Sequence, residues 1–274
     1  MIFGDASTYD GYTLFALSFA LGMRHGLDPD HLVAIDGLTR FNAVREPERA
    51  RWCGALFSLG HGGVVVLVAL AVATVGGAWS APGWLEDLGV WVSVVLLLAL
   101  GTLNLCAAWM APADSAPHLV GVRGGLFGGL QRASHPLLIG LVGAAFALSL
   151  DTLSQAALFA LLGARVGGVE HCVMLGAVFT AGMVLVDGVN GWWVFRMAVG
   201  ASRRAPRAAR VFAVLVAALS YLLAGLTLAG YAFPQINAWS EDKALAIGVG
   251  VIGVVALSFV AALRLARREL ARGA

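Results

Sequence analysis

Long apolar runs separated by short polar connectors recur along the whole 274-residue chain. A helix that crosses a bilayer needs about 20 mostly apolar residues. Seven stretches qualify: 11–38, 53–78, 88–110, 137–163, 170–198, 210–232 and 244–264. The pattern predicts an all-α integral membrane protein of about seven transmembrane helices in one membrane domain, 1–274. The longest connector, 111–136, carries Pro112, Pro117 and many glycines, which punctuate rather than propagate helices. It is expected to be an aqueous linker that divides the chain into a half of three spans (11–110) and a second of three (137–232), followed by an extra C-terminal span at 244–264.

Short strings echo between the halves. FALGMRHGLD (19–28) resembles FALSLDTLSQ (146–155), and FSLGH (57–61) resembles FTAGM (179–183). Spans 1 and 4, and spans 2 and 5, are thereby paired at offsets of 127 and 122 residues. Elements three spans apart run in opposite directions through a membrane. That is the mark of inverted-topology repeats, which build transporters with a site between the halves near the midplane. Such strings also recur by chance in apolar sequence.

Composition sharpens the membrane reading. Hydrophobic residues make up 59% of the chain, charged residues 12%, and mean hydropathy is +0.84. A soluble domain carries about a quarter charged residues. The net charge of +2 matters less than where the charges lie. Arginines gather on alternate connectors: Arg40, Arg45, Arg49 and Arg51, then Arg123 and Arg132, then five from Arg196 to Arg210, then four from Arg264 to Arg272. The other connectors hold only Arg165 and Lys243 beside several acids. Basic residues in short loops mark the cytoplasmic face. The expectation is therefore a multi-pass protein of a bacterial-type inner membrane, N-terminus outside and C-terminus in the cytoplasm. The start, MIFGDASTYDGY, lacks the basic stretch of a signal peptide. Cys53, Cys106 and Cys172 are widely spaced and form no C-x-x-C pair. No G-x-x-x-x-G-K-[ST] loop is present. The expected partners at this point include the lipid bilayer, and not nucleic acid or nucleotide.

One segment breaks the apolar pattern. MRHGLDPDHLVAIDGLTR (23–40) places His25, His31, Asp28, Asp30, Asp36 and Arg24 at the end of the first span. Ionisable groups inside a span cost a few kcal/mol each and point to function. Pro29 lacks an N–H and pushes Asp28 out of helical conformation. Asp followed by Pro is also a good start for a new helix. A broken first helix is predicted at Asp28-Pro29, with His25, Asp28, Asp30 and His31 around one gap. Irregular backbone at membrane depth survives where it lines a cavity. Imidazole with carboxylate suits nickel, cobalt or zinc better than magnesium or calcium. The competing reading puts these groups at a cytoplasmic mouth, paired with Arg24 and Arg40.

RHGLDPDH contains H-x-x-x-x-D-H, and with Ala34, Ile35, Asp36, Thr39 and Arg40 it resembles the hallmark motif of the nickel/cobalt transporter family. FSLGHGGVVV with His61 is similar to a second family signature. LSLDTLSQ with Asp151 and Thr152 is similar to a third, and GMVLVDGVNG with Gly182, Met183, Asp187 and Gly191 to a fourth. The resemblance runs from residue 20 to about 197. It implies transport of nickel or cobalt, with uptake into the cytoplasm, and no enzymatic activity. His25, Asp28, His31 and His61 are expected as metal ligands. Asp30, Asp36, Asp151, Asp187, Thr152, Gln155 and Asn190 are expected behind them, holding ligands in place or passing protons. The metal is cargo, and no permanently bound cofactor is expected. The chain departs from the family pattern at Pro29 for alanine, Gly37 for asparagine, Gln155 for glutamate and Asn190 for aspartate. It also has seven spans where eight are usual, the hallmark motif falling in the first. His61, Asp151 and Asp187 are single polar groups in apolar spans, which also arise as ordinary helix–helix hydrogen bonds. Alternatives are a metal exporter, an accessory protein delivering metal to an enzyme maturation system, and a haem or redox membrane protein using His25 and His61.

Overall fold

Residues 11–43, 46–75, 83–110, 135–148, 150–204 and 206–272 are described by a computed structural model, and among them every regular element is a helix. The first span is two helices, α1 (Gly11–His25) and α2 (Pro29–Ala43), with the interruption where the sequence placed it. The backbone shows how the helix stops. Leu27 N–H reaches the Arg24 carbonyl and Asp28 N–H the His25 carbonyl, each at 3.0 Å, so the turn tightens from four-residue to three-residue spacing. Pro29 has no N–H to continue it. The Asp28 carbonyl then accepts from Leu32 N–H at 3.1 Å and opens α2.

The one-turn α3 (Pro47–Ala50) precedes α4 (Cys53–Val75) and α5 (Gly83–Met110). The second half runs α6 (Pro136–Phe146), α7 (Leu150–Val166), α8 (Val169–Arg204), α9 (Pro206–Ala232) and α10 (Pro234–Arg272). Four of these, α4, α5, α8 and α9, hold stretches long and apolar enough to cross a membrane. α1 and α2 have 15 residues each, about 22 Å, so each falls short of an apolar core of about 30 Å.

Three expectations change. The stretch 137–163 was expected to be one helix, but it breaks between Phe146 and Leu150. No proline or glycine marks that break, so nothing local announced it. Of the connector expected at 233–243, residues 234–243 are helical and form the start of α10. The FALSL echo is also out of register, as helix packing shows. Linker positions 111–134 lie outside the described residues.

α4 packs on α6, α7 and α8, while α8 packs on α1, α2 and α4. Backbones touch at glycines. A Cβ on Gly22 would lie 2.0 Å from the Phe179 carbonyl oxygen, and one on Gly143 would lie 2.0 Å from that of Phe57. A Cβ on Gly182 would lie 2.2 Å from the Phe19 carbonyl oxygen, and one on Gly60 would lie 1.8 Å from that of Gly140. The two members of each pair are related by one rule: 121 residues between α1 and α6, and 122 between α4 and α8. The α1–α8 and α6–α4 crossings are therefore equivalent. The register of the first helix pair is 121, not the 127 of the string echo.

α2 sits innermost, with eleven of its 15 residues buried. Its Leu32, Val33, Ile35 and Leu38 join α4, α5, α6 and α9 in the larger core cluster. A second cluster joins α1, α4, α7 and α8. Large apolar side chains on the outer faces, such as Leu67, Leu98, Leu161, Leu222 and Leu257, are exposed, as lipid-facing positions require.

Candidate metal centre

The break after α1 brings three distant histidines together. His25 closes α1, His31 lies in the first turn of α2, and His61 comes from the middle of α4. All three are buried, at 5%, 2% and 0% exposure, and each offers a ring nitrogen within 4.8 Å of the others. His25 Nε2 and His61 Nε2 are 3.2 Å apart. Ring centroids are 4.7 Å apart for His25–His31 and for His31–His61, and 5.0 Å for His25–His61. Two imidazole nitrogens bound to one ion at about 2.0–2.1 Å lie about 3–3.4 Å apart. The His25–His61 spacing already has that value.

Carboxylates lie against Nδ1 of two rings. His25 Nδ1 lies 2.9 Å from Asp28 Oδ2, and His31 Nδ1 lies 3.3 Å from Asp187 Oδ2. A carboxylate on one ring nitrogen fixes the tautomer, aims the other nitrogen and raises its basicity. Asp187, with 0% exposure, is itself held by Ser58, whose Oγ donates to Oδ2 at 2.6 Å. Gly54 makes this contact possible. A Cβ there would lie 1.9 Å from the Asp187 carbonyl oxygen, so only glycine lets α4 and α8 approach this closely one turn from Ser58. His61 Nε2 is also 3.1 Å from Thr152 Oγ1 on α7.

Aromatic rings wall the cluster. Phe57 meets His31 edge-on at 5.0 Å, and Phe179 lies 5.6 Å from His25. Phe57 and Phe179 are related by the same 122-residue rule. That rule and its 121-residue counterpart carry His25, His31 and His61 to Phe146, Thr152 and Met183. The second half therefore supplies one hydroxyl and apolar side chains where the first supplies imidazoles. The three imidazoles touch one another, which leaves no flat slot for a macrocycle between His25 and His61.

The structure places the remaining sequence candidates at varying distances. Asp28 backs His25 from the ring's far side. Asp30 Oδ1 accepts from the His31 backbone N–H at 2.9 Å. Asp36, buried one turn further along α2, accepts from Arg40 Nε on both oxygens at 3.0 and 2.9 Å. Asn190 lies beside Asp36 at a cavity too small for more than a water, and its buried Nδ2 has no hydrogen-bond acceptor among the described residues. Gln155 lines the cavity described next. Asp151 lies on α7, but its side chain is outside the described residues. Sequence reasoning missed Ser58 and the phenylalanine walls. Ser58 stands three residues before His61 on one helix face, a spacing that places both toward one neighbour.

A cavity of about 650 Å³ opens onto the cluster. Its inner end is formed by His25, Asp28, Asp30 and His31, and its outer walls by α9 and the first turns of α10. It leads toward the ends of α5, α9 and α10 that carry Asp87, Tyr231 and Glu241, away from the arginine-rich connectors.

Comparison with known proteins agrees with this chemistry. The chain matches the high-affinity nickel-transport protein family over residues 11–266. It is 30% identical to the high-affinity nickel transport protein of Cupriavidus necator over 64% of this chain and 56% of that protein. It is 28% identical to the hydrogenase nickel incorporation protein HupN of Bradyrhizobium diazoefficiens over 93% of this chain and 76% of that protein. A shorter match, 46% identity over 21% of this chain and 16% of the other, is to the cobalt transport protein NhlF of Rhodococcus rhodochrous. The match thus spans only about half of the Cupriavidus protein's length. No solved structure matches. The chain belongs to the high-affinity nickel-transport protein family.

Proposed function

We propose that this member of the high-affinity nickel-transport protein family is a permease for a divalent transition-metal cation, nickel or cobalt, and moves it into the cytoplasm. The observation that carries this reading is the convergence of three buried imidazoles, two of them backed by carboxylates. His25, His31 and His61 serve as ligands. Asp28 and Asp187 orient His25 and His31 and offset the charge of the dication. Asp28 thus acts behind a ligand rather than as one. Thr152 steadies His61. Borderline nitrogen ligands select nickel or cobalt over magnesium and calcium, which take oxygen.

Uptake in this reading has the arginine-rich connectors in the cytoplasm of an inner-membrane protein and the cavity at the opposite face, which the bias of basic residues to alternate connectors supports. The half-repeats, 11–110 and 137–232, would rock about the histidines, with α10 outside the repeat. The glycine contacts related by 121 and 122 residues support this division. A second reading is favoured by the likeness to HupN, whose name joins nickel to hydrogenase. In that reading the chain hands metal to a maturation system instead of releasing it. X-ray absorption of the purified, nickel-loaded protein tests the site. We expect one nickel per chain with about three imidazoles, and loss of that signal in His25→Ala, His31→Ala and His61→Ala. Nickel bound only through oxygen, or bound equally by the variants, would remove the site.

A further inference from the structure

The cavity above the histidines has a second wall that none of the motifs covers. α10 is fastened to the break. A Cβ on Gly248 would lie 2.1 Å from the Leu27 carbonyl oxygen, so helix and break meet backbone to backbone. Seven residues earlier, about 10 Å along the helix axis, Glu241 lines the outer part of the same cavity. Its Oε1 accepts from Asn237 Nδ2 at 2.7 Å, one turn away on the same face. Both side chains line the cavity, so the amide holds the carboxylate toward the path.

Glu241 has no cationic partner among the described residues. The neighbouring Lys243 pairs with Asp242. An exposed i,i+4 amide–carboxylate pair contributes about 0.2–0.5 kcal/mol to a helix. The fold therefore has little need of this carboxylate at the mouth of a cavity that ends on two buried histidines. Of the ionisable side chains lining the cavity, Asp28, Asp30 and Glu241 are acidic, and Arg24 carries the opposing charge. A low-dielectric funnel lined mainly by one sign of charge concentrates the opposite ion and speeds its arrival.

We propose that Glu241, aimed by Asn237, is the first contact of the incoming divalent cation and sets its rate of arrival at the histidines. The inference rests on the histidine site as the cation's destination. Glu241 meets the hydrated ion electrostatically and is not one of its final ligands.

The test is stopped-flow association of Ni²⁺ with the purified full chain, followed by competition with a metallochromic indicator. We expect Glu241→Gln to slow association about 5- to 10-fold at low ionic strength, with dissociation within 2-fold of wild type. Raising salt should close most of the gap. Asn237→Ala should fall between the two, and Glu241→Lys should be slower than Glu241→Gln. An association rate equal to wild type in Glu241→Gln and Glu241→Lys overturns the inference and leaves the histidine site standing. A slower rate that salt does not relieve also overturns it, because the defect is then not electrostatic. A wild-type chain that binds no nickel removes the histidine site and this inference together. Transport is not required for the readout, so failure of transport alone leaves the test decisive.

Discussion

Two of the three clustered histidines meet a carboxylate on Nδ1. At this scale the site consists of aimed imidazoles, and aiming has measurable consequences. Loss of a carboxylate behind a metal-bound histidine costs about 10- to 100-fold in affinity. Asp187→Asn should weaken nickel binding within that range by equilibrium dialysis. Ser58→Ala, which removes only the donor to Asp187, should weaken it less. Equal affinity in Asp187→Asn would mean that His31 is not a ligand. Part of this was legible in the sequence. Asp28 and His25 are three residues apart, and their pairing follows from the broken helix. Asp187 and His31 are 156 residues apart, and Ser58 and Asp187 are 129 apart. The packing of α8 on α2, and on α4 through Gly54, determines those contacts.

The elements are shaped by two breaks and a set of glycine crossings. The first break was readable because Pro29 removes a donor. The second, between Phe146 and Leu150, has no such residue. Its position follows instead from equivalence to the first: with the 121-residue offset, the Gly26–Asp28 turn maps onto 147–149. Symmetric packing thus overrode a local sequence that favours one helix. The crossings give a paired test on neighbouring glycines of α4. Gly60 meets the Gly140 backbone, whereas Gly63 has open space around it. Gly60→Ala should destabilise the protein by about 1–3 kcal/mol, seen as a lower melting temperature in detergent. Gly63→Ala should leave it unchanged or slightly raised, since alanine favours helix over glycine. Equal melting temperatures for the two variants would mean that α4 and α6 are not in backbone contact.

At the scale of the whole molecule, a cavity among the described residues gives access to the histidines. The cavity reaches them from the end of the bundle bearing Glu241. On the other side α2 is packed in the larger core, and Asp36 and Arg40, at 6% and 8% side-chain exposure, form a buried ion pair. Both residues lie on α2, and removing one partner of such a pair costs about 3–5 kcal/mol. The span pattern made the all-α membrane architecture readable in outline. The crossing helices and the cavity between α2, α9 and α10 were not readable, because they depend on contacts between elements far apart in sequence.

The most direct test of the account is nickel uptake into proteoliposomes containing only this protein, comparing wild type with His31→Ala and His61→Ala. We expect wild type to accumulate nickel and both variants to fall to the level of empty vesicles while still inserting normally. Cobalt should compete, and calcium should not. Uptake by wild type would also set aside the accessory reading, since no maturation partner is present. A wild-type protein that moves neither nickel nor cobalt, in either orientation, would contradict the transport claim. Variants that transport as well as wild type would contradict the histidine site as its path.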